Sequence, residues 1–199
     1  NPVGGSSDTF TSMRLRANVS AVLDRGVSAF VQIQDVRNWG DAAHPLFDFN
    51  ANNIDMHQGY LDLKNLGGSP FTIRAGRQEI NLGGQRHIGA VGWTQQAQSF
   101  DGLRISTSSD KGRLDLVGFK LAETTGGPPG ITSDAALAGA YGTLTTMQNA
   151  SPDAYAFYNH VAGAGTNQMT FGLRYAGNRT GWIYRLETSL QTGERGGQD

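Results

Sequence analysis

The sequence has no cysteine and very little lysine or glutamate. Without cysteine, disulfide frameworks, thiol nucleophiles and cysteine-based zinc sites are all excluded. Only 3 of the 16 basic residues are Lys and only 4 of the 17 acidic residues are Glu, whereas Gly accounts for 28 of the 199 residues. Because Lys and Glu favour helices and Gly disfavours them, this composition argues against a helical bundle. The formal net charge of −1 indicates no basic surface for nucleic acid, so we expect no nucleic-acid partner.

Long apolar runs are absent as well. No stretch of about 18 consecutive apolar residues occurs, so the sequence predicts no transmembrane helix. This criterion does not test a membrane β-barrel, because alternate residues of a barrel strand face a polar interior.

Groups that would indicate an enzyme or a metal site are missing too. The four histidines are far apart and form no H-x-x-x-H pair, so we expect no metal and no cofactor. The carboxylates of Asp55, Asp62, Glu79 and Asp101 have no spacing that sets two of them at the separation a glycosidase needs. We therefore expect that the protein is not an enzyme.

Alternation of apolar and polar residues is the strongest signal that the sequence does contain. Within residues 11–23, the apolar Met13, Leu15 and Val19 occupy odd-numbered positions, whereas Arg14 and Arg16 occupy even-numbered ones. We call each such set of alternate positions a parity of the strand. The same pattern returns at 27–37 and, near the end of the chain, at 170–176 and 182–191. Less regular strands are predicted at 54–64, 71–82, 99–108 and 113–122. We therefore expect about eight antiparallel strands in an up-and-down arrangement.

The predicted connections alternate between short turns and long loops. Turns at 24–26, 65–70, 109–112 and 177–181 are short, whereas 38–53, 83–98 and 123–165 are long. Short turns at one end and long loops at the other are typical of outer-membrane barrels. We expect 123–165 to be a long extracellular loop, with a short helix from Ser151 to about His160.

The two parities of the strands predict two environments. Aromatic residues such as Tyr175 and Trp182 flank a short turn on the apolar parity, as they do at membrane interfaces. The polar parity is rich in Arg, Gln, Asn and Ser, which satisfy one another in a wet, crowded interior, and a planar guanidinium pairs with two acceptors at once. Its candidate pore-lining residues are Arg14, Arg16, Arg174, Arg185 and Glu187. A soluble or surface β-sheet module that binds polysaccharide without transport is the alternative.

A set of short motifs lies in the first two thirds of the chain: Gln34–Gly40, Asp55–Leu61, Gly76–Ile80, Gly83–Gly89, Trp93 and Ser99–Arg104. Together, these motifs resemble the alginate export family of Gram-negative outer-membrane barrels. The resemblance implies a porin-like channel of about 18 strands that exports an anionic polysaccharide, so residues 1–199 would be the N-terminal part of a single larger barrel domain.

The resemblance also implies pore-lining positions and partners. The positions that match the Arg-rich constriction of that family are Arg37, Arg77, Arg86, Asp101 and Arg104. Fixed positive charge on such positions would offset the hydration that a polyuronate loses in a narrow pore. The expected location is the bacterial outer membrane. The expected partners are an anionic polysaccharide or a smaller anionic solute, outer-membrane lipid, and periplasmic export components.

Overall fold

The computed structural model describes residues 11–39, 54–122, 134–162 and 165–196. Ten strands form one antiparallel sheet in which each strand pairs with its neighbours in the chain, so the predicted all-β, up-and-down topology is confirmed. No helix among the described residues is long and apolar enough to cross a membrane. The strands are β1 (Thr11–Asp24), β2 (Val27–Trp39), β3 (Asp55–Lys64), β4 (Thr72–Gln78), β5 (Phe100–Ser108), β6 (Gly112–Ala122), β7 (Ala135–Leu144), β8 (Ala150–Val161), β9 (Thr166–Arg179) and β10 (Trp182–Glu194).

The sheet is open among the described residues, because no pairing joins β1 to β10. A closed barrel and a single domain over residues 1–199 therefore stay predictions. The predicted alternation of connections is largely present: short turns lie at one edge of the sheet, and the strand ends joined by the connections 40–54, 79–99 and 123–134 lie at the other. We call these the short-turn edge and the long-connection edge. The connection between β8 and β9 is the exception, since it also lies at the long-connection edge but is short.

Two strands occupy the interval in which one long loop was predicted, so the expected loop at 123–165 and the expected count of eight strands are both wrong. The sequence does not predict β7 because most of its residues are Ala or Gly, so apolar and polar residues do not alternate clearly along it. The helix predicted from Ser151 to about His160 is also wrong, since these residues belong to β8. Pro152 is tolerated there because it lies beyond Asp153, the last residue of β8 that pairs with β7.

The two faces of the sheet differ sharply. Residues directly opposite each other on neighbouring strands point to the same face, and the register therefore groups most of the large exposed apolar side chains of the strands on one face, which we call the bare face. Its large side chains remain exposed; Leu15, Val31, Leu103, Leu173 and Leu190 are between 40 and 68% exposed. Such a continuous apolar surface is unusual for a protein surrounded by water.

The opposite face, which we call the covered face, carries the segment 79–99 between β4 and β5. Ile80, Leu82 and Ile88 of this segment form the described core together with residues of β5 to β8. Ile80 and Ile88 are each only 1% exposed. Burial of these side chains holds the segment against the sheet, because apolar surface removed from water stabilises the packed state.

A β-bulge shapes the covered face near the long-connection edge. Gln32 pairs with Gln58, whereas the next residue, Ile33, pairs with Met56, so His57 is the extra residue of β3. A bulge lets two consecutive side chains point to one face. His57, 7% exposed, consequently lies under the 79–99 segment.

Candidate functional site

Ion pairs between arginines and carboxylates run across the covered face from β3 to β6. Arg74 donates two hydrogen bonds to Asp62, at 2.7 and 2.8 Å, and its guanidinium carbon lies 3.7 Å from the centroid of the Tyr60 ring. Arg104 is directly opposite Arg74 in the sheet and donates to Asp115 at 2.9 Å. Two neighbouring guanidinium groups would repel each other, so the carboxylates on either side stabilise the pair.

The same Asp115 carboxylate also accepts two hydrogen bonds from Arg113, at 2.7 and 3.1 Å. Its oxygens therefore receive hydrogen bonds from two arginines. Asp115 is only 2% exposed, whereas the side chain of Arg113 is 47% exposed. The negative charge of Asp115 is thus buried, whereas the positive charge of Arg113 is open to solvent.

Ion pairs continue over β7 to β10. Asp153 of β8, which is 4% exposed, accepts hydrogen bonds from Tyr141 and Arg174. Glu187 of β10 lies opposite Arg174 and accepts a hydrogen bond from the Tyr155 hydroxyl at 3.0 Å. Arg86 of the 79–99 segment reaches the other Glu187 oxygen at 3.3 Å while remaining 62% exposed.

A third group of polar contacts joins β1 to the 79–99 segment. Arg16 donates to Gln34 at 2.6 Å and to Glu79 at 3.1 Å. His57 lies 2.7 Å from the same Glu79 oxygen. Arg14 donates to the backbone carbonyl oxygens of residues 94 and 95 in the segment. These two arginines therefore help to hold the segment in place.

In five of the six arginine ion pairs described on the covered face, the guanidinium group is more exposed than the carboxylate; in the sixth, Arg16–Glu79, the side chains are 23 and 26% exposed. In the pairs Arg74–Asp62, Arg104–Asp115, Arg113–Asp115, Arg174–Asp153 and Arg86–Glu187, the arginine side chain is the more exposed partner. Each of these carboxylates is paired with at least one arginine, and Asp153 and Glu187 also accept a hydrogen bond from a tyrosine hydroxyl. The arginines still have unused N–H donors because a guanidinium carries five. An anion that approaches this face meets positive charge first.

The register sorts the predicted pore-lining residues into two sets. Arg14, Arg16, Arg104, Arg174, Arg185 and Glu187 lie on the covered face, and Arg86 lies on the segment that packs against it.

The register places the other three predicted positions on the opposite face. Arg37 is opposite Met13, on the parity of Leu15, while Arg77 and Asp101 pair with each other on the parity of Leu103. All three therefore lie on the bare face, near the long-connection edge. Sequence motifs place a residue on a strand, but strand parity decides which side of the sheet it faces.

Several residues of the site were not among the predicted positions. They are Asp62, Arg74, Arg113, Asp115, Tyr141, Asp153, Tyr155, His57 and Glu79. The parity rule that selected Arg14 and Arg16 would have found Asp62, Arg74, Arg113 and Asp115, because each belongs to the polar parity of its strand. Tyr141, Asp153 and Tyr155 had no signal, since their strands were not recognised.

The described residues contain no group of three or more His, Asp or Glu side chains that could hold a metal ion. His87 of the 79–99 segment packs beside the rings of Tyr155 and Phe157, at centroid distances of 5.3 and 6.1 Å. Partial burial lowers the pKa of this imidazole and so favours its neutral form. The site can bind and orient anions by hydrogen bonding and charge.

The family model described as alginate export matches residues 3–199 of the chain. No curated protein matches the chain.

Proposed function

The chain belongs to the alginate export family, a family of transport proteins, and on that premise we propose that its covered face lines the water-filled pore of an outer-membrane channel for an anionic polysaccharide. The observation that carries this proposal is the unequal exposure of the ion pairs on the covered face. Arg113 is 47% exposed beside an Asp115 side chain that is 3% exposed. A polymer with one carboxylate per sugar would meet a row of guanidinium groups, each already partly neutralised.

Partial neutralisation suits transport better than tight binding. A pore must bind its solute well enough to admit it and weakly enough to release it. An isolated arginine would hold a carboxylate strongly in a narrow site, because a guanidinium binds a carboxylate through two hydrogen bonds. The buried carboxylates Asp62, Asp115 and Asp153 lower that attraction, and they also fix the arginine side chains in position.

The bare face supports a membrane location for the same sheet. Among the described strands, its charged side chains lie only near the strand ends, and apolar residues occupy the span between. At the short-turn edge Tyr175 and Tyr184 stack with ring centroids 5.7 Å apart, and Trp182 is 79% exposed. Aromatic residues at the boundary of an apolar band are typical of barrels in the outer membrane.

Ion selectivity in planar bilayers tests the proposal. We expect the purified protein to form anion-selective channels whose conductance falls when oligouronates are added. The double substitution Arg113→Gln and Arg185→Gln removes two exposed charges from the covered face and should reduce both the selectivity and the block. The double substitution Arg37→Gln and Arg77→Gln is the matched control, because it removes two arginines from the bare face and should leave both the selectivity and the block unchanged.

Two results would contradict this function. Channels that are cation-selective and whose conductance is unchanged by oligouronates would refute the proposal that the solute is anionic. Protein that stays in solution without detergent and forms no channels would instead favour a polysaccharide-binding module that does not transport.

A further inference from the structure

An aromatic residue interrupts the polar parity of β2. Phe30 lies on the covered face directly opposite Tyr60, and the two rings stack with their centroids 5.1 Å apart and their planes 26° apart. Both residues are half-buried, and neither belongs to the described core that holds the 79–99 segment. The pair therefore leaves apolar ring surface exposed among the polar side chains of this face, a combination typical of ligand-binding sites.

The neighbours of the two rings decide which ring face a ligand can reach. Tyr60 has Phe30 on the side of β2, and on the side of β4 it has Arg74, whose guanidinium carbon lies 3.7 Å from the ring centroid. On the side of β1, the residue directly opposite Phe30 is Ser20, which is small and exposed. The accessible ring face is therefore the face of Phe30 that points toward β1.

Polar groups that suit sugar hydroxyls lie beside this ring face. Asn18, two residues before Ser20 on β1, is exposed, and its Oδ1 accepts a hydrogen bond from Gln32 at 2.7 Å. Gln32 is only 6% exposed and accepts in turn from Gln58 at 3.2 Å. This row of amides holds the Asn18 side chain in one orientation, in which its amide nitrogen can donate to a hydroxyl. We call Asn18, Ser20 and the accessible face of Phe30 the ring subsite.

The ring subsite carries no charge, and the neighbouring charges on the covered face are paired with one another. Arg74 pairs with Asp62 on one side, and Arg16 pairs with Glu79 on the other. The ring subsite therefore suits the uncharged part of a sugar, whereas the exposed guanidinium groups elsewhere on the covered face suit its carboxylate.

We propose that the ring subsite binds one pyranose ring of the polysaccharide by stacking. A face of a pyranose ring carries C–H bonds, whose partial positive charge is attracted to the negative face of an aromatic ring. Hydroxyls at the rim of the sugar would accept a hydrogen bond from Asn18 and exchange one with Ser20. Such a contact is weak enough to release each sugar as the polymer advances. This proposal rests on the proposed function, in which the covered face meets the polysaccharide.

Saturation-transfer NMR of the detergent-solubilised protein tests the ring subsite. The probes are an alginate hexamer and the same hexamer after reduction of its carboxyl groups, which keeps the sugar rings and removes their charge. We expect both to bind, the reduced hexamer more weakly, with the strongest transfer to ring C–H protons. Phe30→Leu keeps an apolar side chain but removes the ring, so it should weaken binding of both hexamers roughly fivefold.

Two further variants separate stacking from a structural role of the ring. Ser20→Leu leaves Phe30 intact but fills the space beside its accessible face, and it should weaken binding of both hexamers several-fold. Phe30→Trp keeps an aromatic face and should retain the binding of the parent. Phe171→Leu is the matched control, because Phe171 is 44% exposed on the bare face and its loss should change neither affinity. Arg113→Gln should weaken binding of the charged hexamer only.

Two results would overturn the ring subsite. One is parent-like binding of the reduced hexamer by Ser20→Leu and Phe30→Leu. The other is binding of the charged hexamer alone, because the subsite would then contribute nothing in the absence of charge.

The outcome is separable from that of the channel experiment. Anion-selective channels that oligouronates block, together with parent-like hexamer binding by Phe30→Leu and Ser20→Leu, would refute the ring subsite and leave the proposed function standing. Protein that forms no channels but binds the reduced hexamer through Phe30 would refute transport and leave the saccharide contact standing.

Discussion

Removal of the Asp115 carboxylate is the sharpest test of the ion pairs on the covered face. Asp115 is 2% exposed and accepts three hydrogen bonds, one from Arg104 and two from Arg113. The substitution Asp115→Asn keeps the volume of the side chain but leaves Arg104, whose side chain is only 16% exposed, without its counter-charge. Loss of one partner from a buried pair costs roughly 3–5 kcal/mol.

We place the expected loss near the lower end of that range. Arg113 is half exposed and recovers hydration when its partner is removed, so most of the penalty falls on Arg104. The free energy of unfolding should therefore drop by about 3 kcal/mol, measured by denaturant titration of the protein in lipid vesicles. The same variant should become more anion-selective, because one fixed negative charge has been removed from the covered face.

Asp101→Asn is the matched control for this measurement. Asp101 also accepts two hydrogen bonds from one arginine, but its side chain is 53% exposed. An exposed ion pair contributes about 0–1 kcal/mol to stability. The free energy of unfolding of this variant should therefore be almost the same as that of the parent. If Asp115→Asn destabilises the protein no more than Asp101→Asn does, then burial does not determine how much these ion pairs contribute to stability. Our reasoning about the covered face would then be wrong.

Further predictions concern the packing of the 79–99 segment and of Gly172 against the Tyr155 ring. Ile88→Ala should destabilise the protein by roughly 2–4 kcal/mol and speed protease cleavage within the segment, since Ile88 is 1% exposed; unchanged cleavage would show that other contacts hold the segment. Arg16→Gln should speed the same cleavage with a smaller loss of stability, because it removes the hydrogen bond to Glu79 but no apolar packing. Gly172→Ala should lower the midpoint of thermal unfolding, because a Cβ there would lie 2.1 Å from a ring atom of Tyr155; an unchanged midpoint would mean that the ring moves freely.

Long, regular strands were the part of the fold that the sequence predicted well. β1, β2, β9 and β10 alternate apolar and polar residues over nearly their whole length, so local pattern alone places their boundaries within a few residues. β7 and β8 were not predicted because Ala, Gly and Pro are frequent in that interval and obscure the alternation of apolar and polar residues. Their strand conformation depends on hydrogen bonds to β6 and β9 on either side, which no local pattern contains.

Alternation by itself determined that this protein builds a sheet with one apolar and one arginine-rich face, because side chains of a strand point to opposite sides in turn. Only the tertiary structure decided which charged residues share a face. Arg77 and Arg104 both belong to motifs of the same family, yet register places the first beside Leu103 and the second beside Asp115. The packing of the 79–99 segment was likewise decided by long-range contacts, because its apolar residues find partners on β5 to β8, far from it in the sequence.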